Sequence, residues 1–117
     1  MRILVIEDNP DIKEILGYIL KDDGHEVISC TDGTSLDSLD TIKPDIILMD
    51  DILSGVRGSE FCRRLKNDDT TKNIPVILIS AMPNLPDTAK NCMADAYIEK
   101  PFNIDHLIQV IQRFAKV

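Results

Sequence analysis

Glu7 and Asp8 end the apolar run "RILVI", and Asp50 and Asp51 end the run "IILM". A carboxylate at the end of a buried strand loses solvation and needs a partner or a task. Ser80 closes "VILIS" and Lys100 follows "YIE", so a hydroxyl and an ammonium occupy the same kind of position. Carboxylates brought together raise one another's pKa or recruit a cation. Hard oxygen donors in a shallow crevice suit Mg²⁺, which keeps several waters and accepts one or two carboxylates. A metal, a carboxylate, a hydroxyl and an ammonium around one point form the set needed to hold a phosphoryl group on a carboxylate, because its charge must be neutralised on several sides. Any one of these acids could instead solvate a strand end or cap the following helix. It is their combination that points to chemistry.

The elements that must position them follow from periodicity. Arg2 to Ile6, Glu26 to Cys30, Ile46 to Met49, Val76 to Ile79 and Ala96 to Ile98 are predicted strands. The first, third and fourth are nearly all apolar, as expected of central parallel strands covered on both faces. Ile12, Ile15, Leu16, Ile19 and Leu20 fall on one face of a first helix, opened by Asn9-Pro10 and ended by Gly24. Leu36, Leu39 and Ile42 mark a short second helix, and Phe61, Cys62 and Leu65 a third. The fourth lies between Pro86 and Met93, about two turns long, its start limited by Pro83 and Pro86. Leu107, Ile108, Ile111 and Phe114 give the fifth an apolar stripe that should pack on the sheet. Five βα units predict an α/β fold, a doubly wound five-stranded parallel sheet with right-handed crossovers. Ligands in such sheets bind at the carboxyl ends of the strands, where the strand order reverses. Every polar residue singled out above falls at such an end.

Composition narrows the choice of partner. The length of 117 residues suits one domain with a real core. A net charge of -7 repels a phosphate backbone, and Arg63-Arg64 is too short a patch to override it. Direct nucleic-acid binding is therefore not expected. Aromatic content of 4% without tryptophan argues against stacking platforms for bases or flavins. Cys30, Cys62 and Cys92 are odd in number and far apart, which reads as small buried hydrophobes more readily than as disulfides or metal ligands. The apolar run in "MRILVIED" is too short for a signal peptide or a membrane span, so a cytoplasmic location is expected.

With Glu7-Asp8, Asp50, Ser80-Ala81 and Lys100-Pro101-Phe102 in this order on successive strand ends, the chain resembles a response-regulator receiver domain over essentially residues 1–117. The resemblance implies a flavodoxin-like (βα)5 sheet of strand order 2-1-3-4-5. It implies that Asp50 is the phosphoacceptor and that Glu7, Asp8, Asp50 and the backbone carbonyl of Ile52 hold Mg²⁺. Ser80 would bond a phosphoryl oxygen, Lys100 would ion-pair with the phosphoryl group, and Tyr97 would be the aromatic that turns inward on switching. Lys100-Pro101 would be cis. The phosphodonor would be a histidine kinase or a histidine phosphotransfer protein. Output would pass through the face of the fourth helix, fifth strand and fifth helix to a protein partner that the sequence does not name, from a monomer or a weak phosphorylation-dependent dimer. The domain would be a signalling switch and not a metabolic enzyme, standing alone or belonging to a larger transcriptional regulator or hybrid kinase.

Several residues carry narrower expectations. Asp51 should point away from Asp50 by strand alternation and be solvated or act as a cap. Ser54, where the family often has proline, should loosen the turn. Ile52 and Met82 should flank the phosphoryl site and hinder the hydrolytic water. Tyr97 also reads as a plain half-buried strand aromatic. His25 and His106 read as surface residues, and "KNDDTTKN" as a solvated loop. Competing classes fit less well. Mg²⁺-dependent phosphatases of the haloacid-dehalogenase type and the topoisomerase-primase nuclease core want a DxD arrangement, which "DDI" lacks. A flavodoxin-like cofactor binder wants a first loop that cradles phosphate, and "EDNPD" would repel one.

Overall fold

The computed structural model describes residues 1–53 and 55–115. Its sheet contains β1 (Arg2–Ile6), β2 (Glu26–Cys30), β3 (Ile46–Asp50), β4 (Val76–Ser80) and β5 (Ala96–Glu99) in the order β2-β1-β3-β4-β5. Every neighbouring pair is parallel. The helices are α1 (Pro10–Asp22), α2 (Leu39–Ile42), α3 (Gly58–Lys66), α4 (Leu85–Asn91) and α5 (Ile104–Gln112).

All residues of β3 and β4 are buried, which explains their unbroken apolar sequence. Strand alternation divides the core in two. Ile3, Val5, Leu48, Ile77 and Ile98 meet Leu16 and Leu20 of α1 and Leu107 and Ile111 of α5 on one face. Leu4, Ile6, Met49 and Leu78 meet Cys62 and Leu65 of α3 and Leu85 and Ala89 of α4 on the other. The sheet is thus a rigid plate whose carboxyl ends are held from both sides.

Local signals account for most boundaries. The Asn9 side chain accepts from the amides of Asp11 and Ile12 to cap α1, and Pro10 occupies its first turn. Gly24, with φ of 91°, lets the chain leave that helix. The second helix is shorter than its apolar spacing predicts. Residues Gly33–Ser38 form a 3₁₀ segment that runs into the single turn of α2. Asp32 bonds the amide and hydroxyl of Thr34 there, so local side-chain bonds compete with the α-helical ladder.

Other expectations need correction. Ile15 is half exposed and lies off the buried stripe of α1. His25 is not a surface residue. Its imidazole is largely buried between the amino terminus and Asp23, at 3.1 Å from each. His106 is exposed, as expected. Lys66, the first residue of the presumed solvated loop, is a nearly buried cation. Its ammonium donates to the carbonyl of Ile74 at 2.8 Å and to Asp95 at 2.6 Å. Cys62 and Cys92 are buried, and Cys30 is partly so.

Between β3 and α3 the chain makes a small antiparallel hairpin. Ile52–Leu53 pairs with Val56–Arg57, and Gly55 turns between them with φ of 86°. The looser turn expected at Ser54 lies outside the described residues. No helix among the described residues is long and apolar enough to cross a membrane.

Candidate functional site

β1 and β3 are adjacent and parallel, so their carboxyl ends carry Glu7, Asp8 and Asp50 to one edge of the plate. One carboxylate oxygen from each of the three lies within 4.8 Å of the others. Glu7 and Asp50 are nearly inaccessible and Asp8 is half-buried. β5 delivers Lys100 to the same point. Its ammonium donates to Asp50 Oδ2 at 2.8 Å and to Glu7 Oε2 at 3.0 Å, and its backbone amide donates to the carbonyl of Ser80 at 2.9 Å. The Lys100–Pro101 peptide is cis.

Two carboxylates share this ammonium and a third, Asp8, lies beside them, so the local charge is anionic. Burial pushes the Glu7 carboxyl above its ordinary range; bonds from Lys100 and the Asn9 amide oppose the shift without cancelling it. Burial also works against the Lys100 ammonium, but its bonds to Asp50 and Glu7 outweigh that and hold its pKa above the ordinary value. An all-oxygen donor set with excess negative charge at a strand-end crevice fits a hard dication such as Mg²⁺.

The model of the response regulator receiver domain matches residues 3–112. The chain belongs to that family. A curated relative, the DNA-binding dual master transcriptional regulator RpaA of Synechocystis, is 33% identical over 110 residues, covering 92% of this chain and 46% of RpaA. This receiver spans about half the length of the curated relatives it matches. A putative response regulator from Chloroflexus aurantiacus superposes with a TM-score of 0.89 at 24% identity, over 97% of this chain and 95% of that one. The receiver domain of the sensor histidine kinase PA1611 from Pseudomonas aeruginosa superposes with a TM-score of 0.83 at 28% identity, over 97% and 95%. That relative holds a magnesium ion coordinated in its active-site cleft. Receiver domains are signalling switches, and the predicted class and the strand order 2-1-3-4-5 both hold for this chain.

The remaining predicted residues of the receiver sit around this centre at different depths. Ser80 is buried at the end of β4, and its hydroxyl accepts from the Met82 amide at 3.0 Å. The Ile52 amide donates to Asp50 Oδ1 at 3.1 Å, which ties the hairpin to the carboxylate. The side chains of Ile52 and Met82 are each about two-fifths exposed, at 41% and 43%. Tyr97 is not gathered into the cluster. Its side chain is 40% exposed and borders a hollow of about 710 Å³ whose walls include Pro86, Ala89, Phe102 and His106.

Asp51 departs most from expectation. Its side chain is completely buried and not solvated. Oδ1 accepts from the Ser59 amide at 2.9 Å, so the capping half of the expectation holds. Oδ2 accepts from the Arg57 guanidinium through Nε at 3.1 Å and through Nη2 in a closer contact. Burial raises the Asp51 carboxyl, but the bonds from Arg57 and Ser59 outweigh it and hold the group below the ordinary carboxylate range. Arg57 was not among the residues picked out by sequence. The available signal was an arginine six positions after a second strand-end aspartate, across a glycine turn.

Proposed function

We propose that this domain, residues 1–117, accepts a phosphoryl group on Asp50 in a Mg²⁺-dependent reaction and acts as the switch of a two-component or phosphorelay system. The observation that carries this reading is the Lys100 ammonium bridging Asp50 and Glu7 beside Asp8 at the carboxyl edge of the sheet. Glu7, Asp8, Asp50 and the Ile52 carbonyl are the residues that would hold the metal. When bound, it supplies positive charge that offsets the repulsion between the carboxylates and an incoming phosphoryl dianion.

The donor is a histidine kinase or a histidine phosphotransfer protein. Asp50 attacks phosphorus through a carboxylate oxygen. The new O–P bond forms as the N–P bond of phosphohistidine breaks, and its electron pair leaves with the imidazole. The rigid β3 support limits the orientations Asp50 must search before attack. Lys100 stays within reach of the transferred group and bonds one phosphoryl oxygen. The Ser80 hydroxyl turns its hydrogen to another. That movement vacates space toward which Tyr97 swings from its exposed position, changing the face of α4, β5 and α5. The output partner is a protein or a further domain, because curated relatives are about twice as long and include DNA-binding regulators. The reaction belongs to the cytoplasm, where phosphohistidine proteins signal.

Incubation with Mg²⁺ and acetyl phosphate, followed by intact-mass measurement and peptide mapping, tests this reading. One phosphoryl adduct on the peptide containing Asp50, dependent on metal, is expected. No adduct, or one on a peptide without Asp50, would overturn it.

A further inference from the structure

Asp51 lies next to the proposed phosphoacceptor, is fully buried, and has no part in the reaction above. Burying a carboxylate costs several kcal/mol unless it is fully bonded, and an apolar residue there would avoid that cost. Both of its oxygens are engaged, one by Arg57 and one by the first turn of α3.

Its backbone is gripped as well. The Asp51 amide donates to the carbonyl of Ile79 in β4 at 3.2 Å, and its carbonyl accepts from the Gly58 amide at 2.6 Å. Gly58 presses so closely on this peptide that a Cβ there would collide with the carbonyl oxygen of Asp50. Arg57 stands opposite Ile52 in the hairpin, so the Asp51–Arg57 pair closes the loop that begins at the Ile52 amide bonded to Asp50. Two of the four groups proposed to hold the metal, the Asp50 carboxylate and the Ile52 carbonyl, flank Asp51 directly. Any rotation of the Asp51 peptide moves both.

We infer that Asp51 is a positioning residue: through Arg57 and the amino terminus of α3 it fixes the 50–52 peptide so that the Asp50 carboxylate and the Ile52 carbonyl present one metal-binding geometry. The inference rests on the proposed function and adds to it a reason for the second aspartate of "DD". Outer partners that orient metal ligands typically contribute 10-fold to 100-fold in metal affinity or activity. A side chain that merely stabilised the hairpin would alter melting and leave affinity per folded molecule unchanged.

The test compares the wild type with Asp51→Asn, which keeps an oxygen for the Ser59 amide but loses the charge facing Arg57, and with Arg57→Lys, which keeps the charge but loses the fork. Mg²⁺ affinity is measured by calorimetry well below the melting temperature. The Ile52 amide resonance is followed in metal-free protein, and acetyl phosphate kinetics are separated into the saturating rate and the half-saturating concentrations. The expected result for Asp51→Asn is about 10-fold weaker Mg²⁺ binding, a displaced Ile52 amide resonance without metal, and a lower saturating rate. Arg57→Lys, which keeps the charge, should retain most of the wild-type affinity, resonance position and rate. Lowered melting with wild-type Mg²⁺ affinity and an unmoved Ile52 resonance would overturn the inference. If Asp51→Asn does not fold, Arg57→Ala, which removes the cation from an exposed side chain, carries the same readouts, and wild-type values there would overturn the inference equally. A wild type that binds Mg²⁺ but takes no phosphoryl group would count against the proposed function alone, since affinity and resonance still report on Asp51.

Discussion

Asp50 shares an ammonium with Glu7 in a crevice that also holds Asp8, whereas Asp51, one residue on, bonds an arginine with one oxygen and a helix amide with the other. Both side chains are buried at the same strand end. The Asp50 cluster keeps excess negative charge, and the arrangement improves when a dication or a cation-bonded phosphoryl group arrives. The Asp51 cluster is satisfied within the protein and has nothing to gain from a ligand. Adjacent carboxylates can therefore divide into a reacting group and a structural one, with the partners deciding which is which.

The most severe way to test this division is to neutralise each member in turn. Asp50→Asn should abolish the phosphoryl adduct in intact-mass spectra, while Asp51→Asn should retain it at a reduced rate. Equal loss in both would erase the distinction. Next in size is Lys100→Met, which removes the donor facing Asp50 and should slow phosphorylation by about 10²-fold, read as the initial rate with acetyl phosphate.

Stability separates the clusters with opposite signs. Arg57→Ala leaves the Asp51 carboxylate buried without its cation and should cost about 3 kcal/mol in urea unfolding. The Asp51 pKa is lowered in the fold, so its pairing stabilises the protein above the ordinary value of 3.8 and is lost as pH falls through the folded value. In Arg57→Ala that part of the acid dependence should flatten. Glu7 behaves in the reverse sense. Its pKa is raised, so the folded protein holds this proton more tightly than the unfolded chain does. Metal-free stability should then fall as pH rises from the ordinary 4.5 through the folded value. Glu7→Gln should raise metal-free stability at neutral pH and weaken Mg²⁺ binding, measured by thermal melts with and without metal. The smallest effect is expected from Met82→Asn, which exchanges an apolar flank for one that can hold water and should quicken dephosphorylation a few-fold. An unchanged rate there would remove Met82 from the account.

How much of this was legible depended on the reach of each signal. The strands β1, β3 and β4 stood out because both faces are covered, which leaves uninterrupted apolar runs ending in the site residues. The cap at Asn9-Pro10 acts within four residues and was equally plain. Asp51 was misread because its burial depends on Arg57 crossing a hairpin, and alternation along β3 carries no information about that partner. Lys66 looked solvated for a similar reason, since Asp95 lies 29 residues away. The second helix failed at short range, where Asp32 and Thr34 form their own bonds at the expense of the α-helical ladder. Ile15 shared the helical period of buried residues, yet it lies beyond the edge of the sheet-facing stripe.

A crystal of the protein grown with Mg²⁺ and beryllofluoride tests the central claim most directly. The account predicts beryllium bonded to the Asp50 carboxylate, fluorides facing Lys100 and Ser80, and the metal among Glu7, Asp8, Asp50 and the Ile52 carbonyl, with the Asp51–Arg57 pair unaltered. Beryllofluoride bound to Asp51, or an Asp50 carboxylate still paired with Lys100 and free of it at saturating concentration, would contradict it.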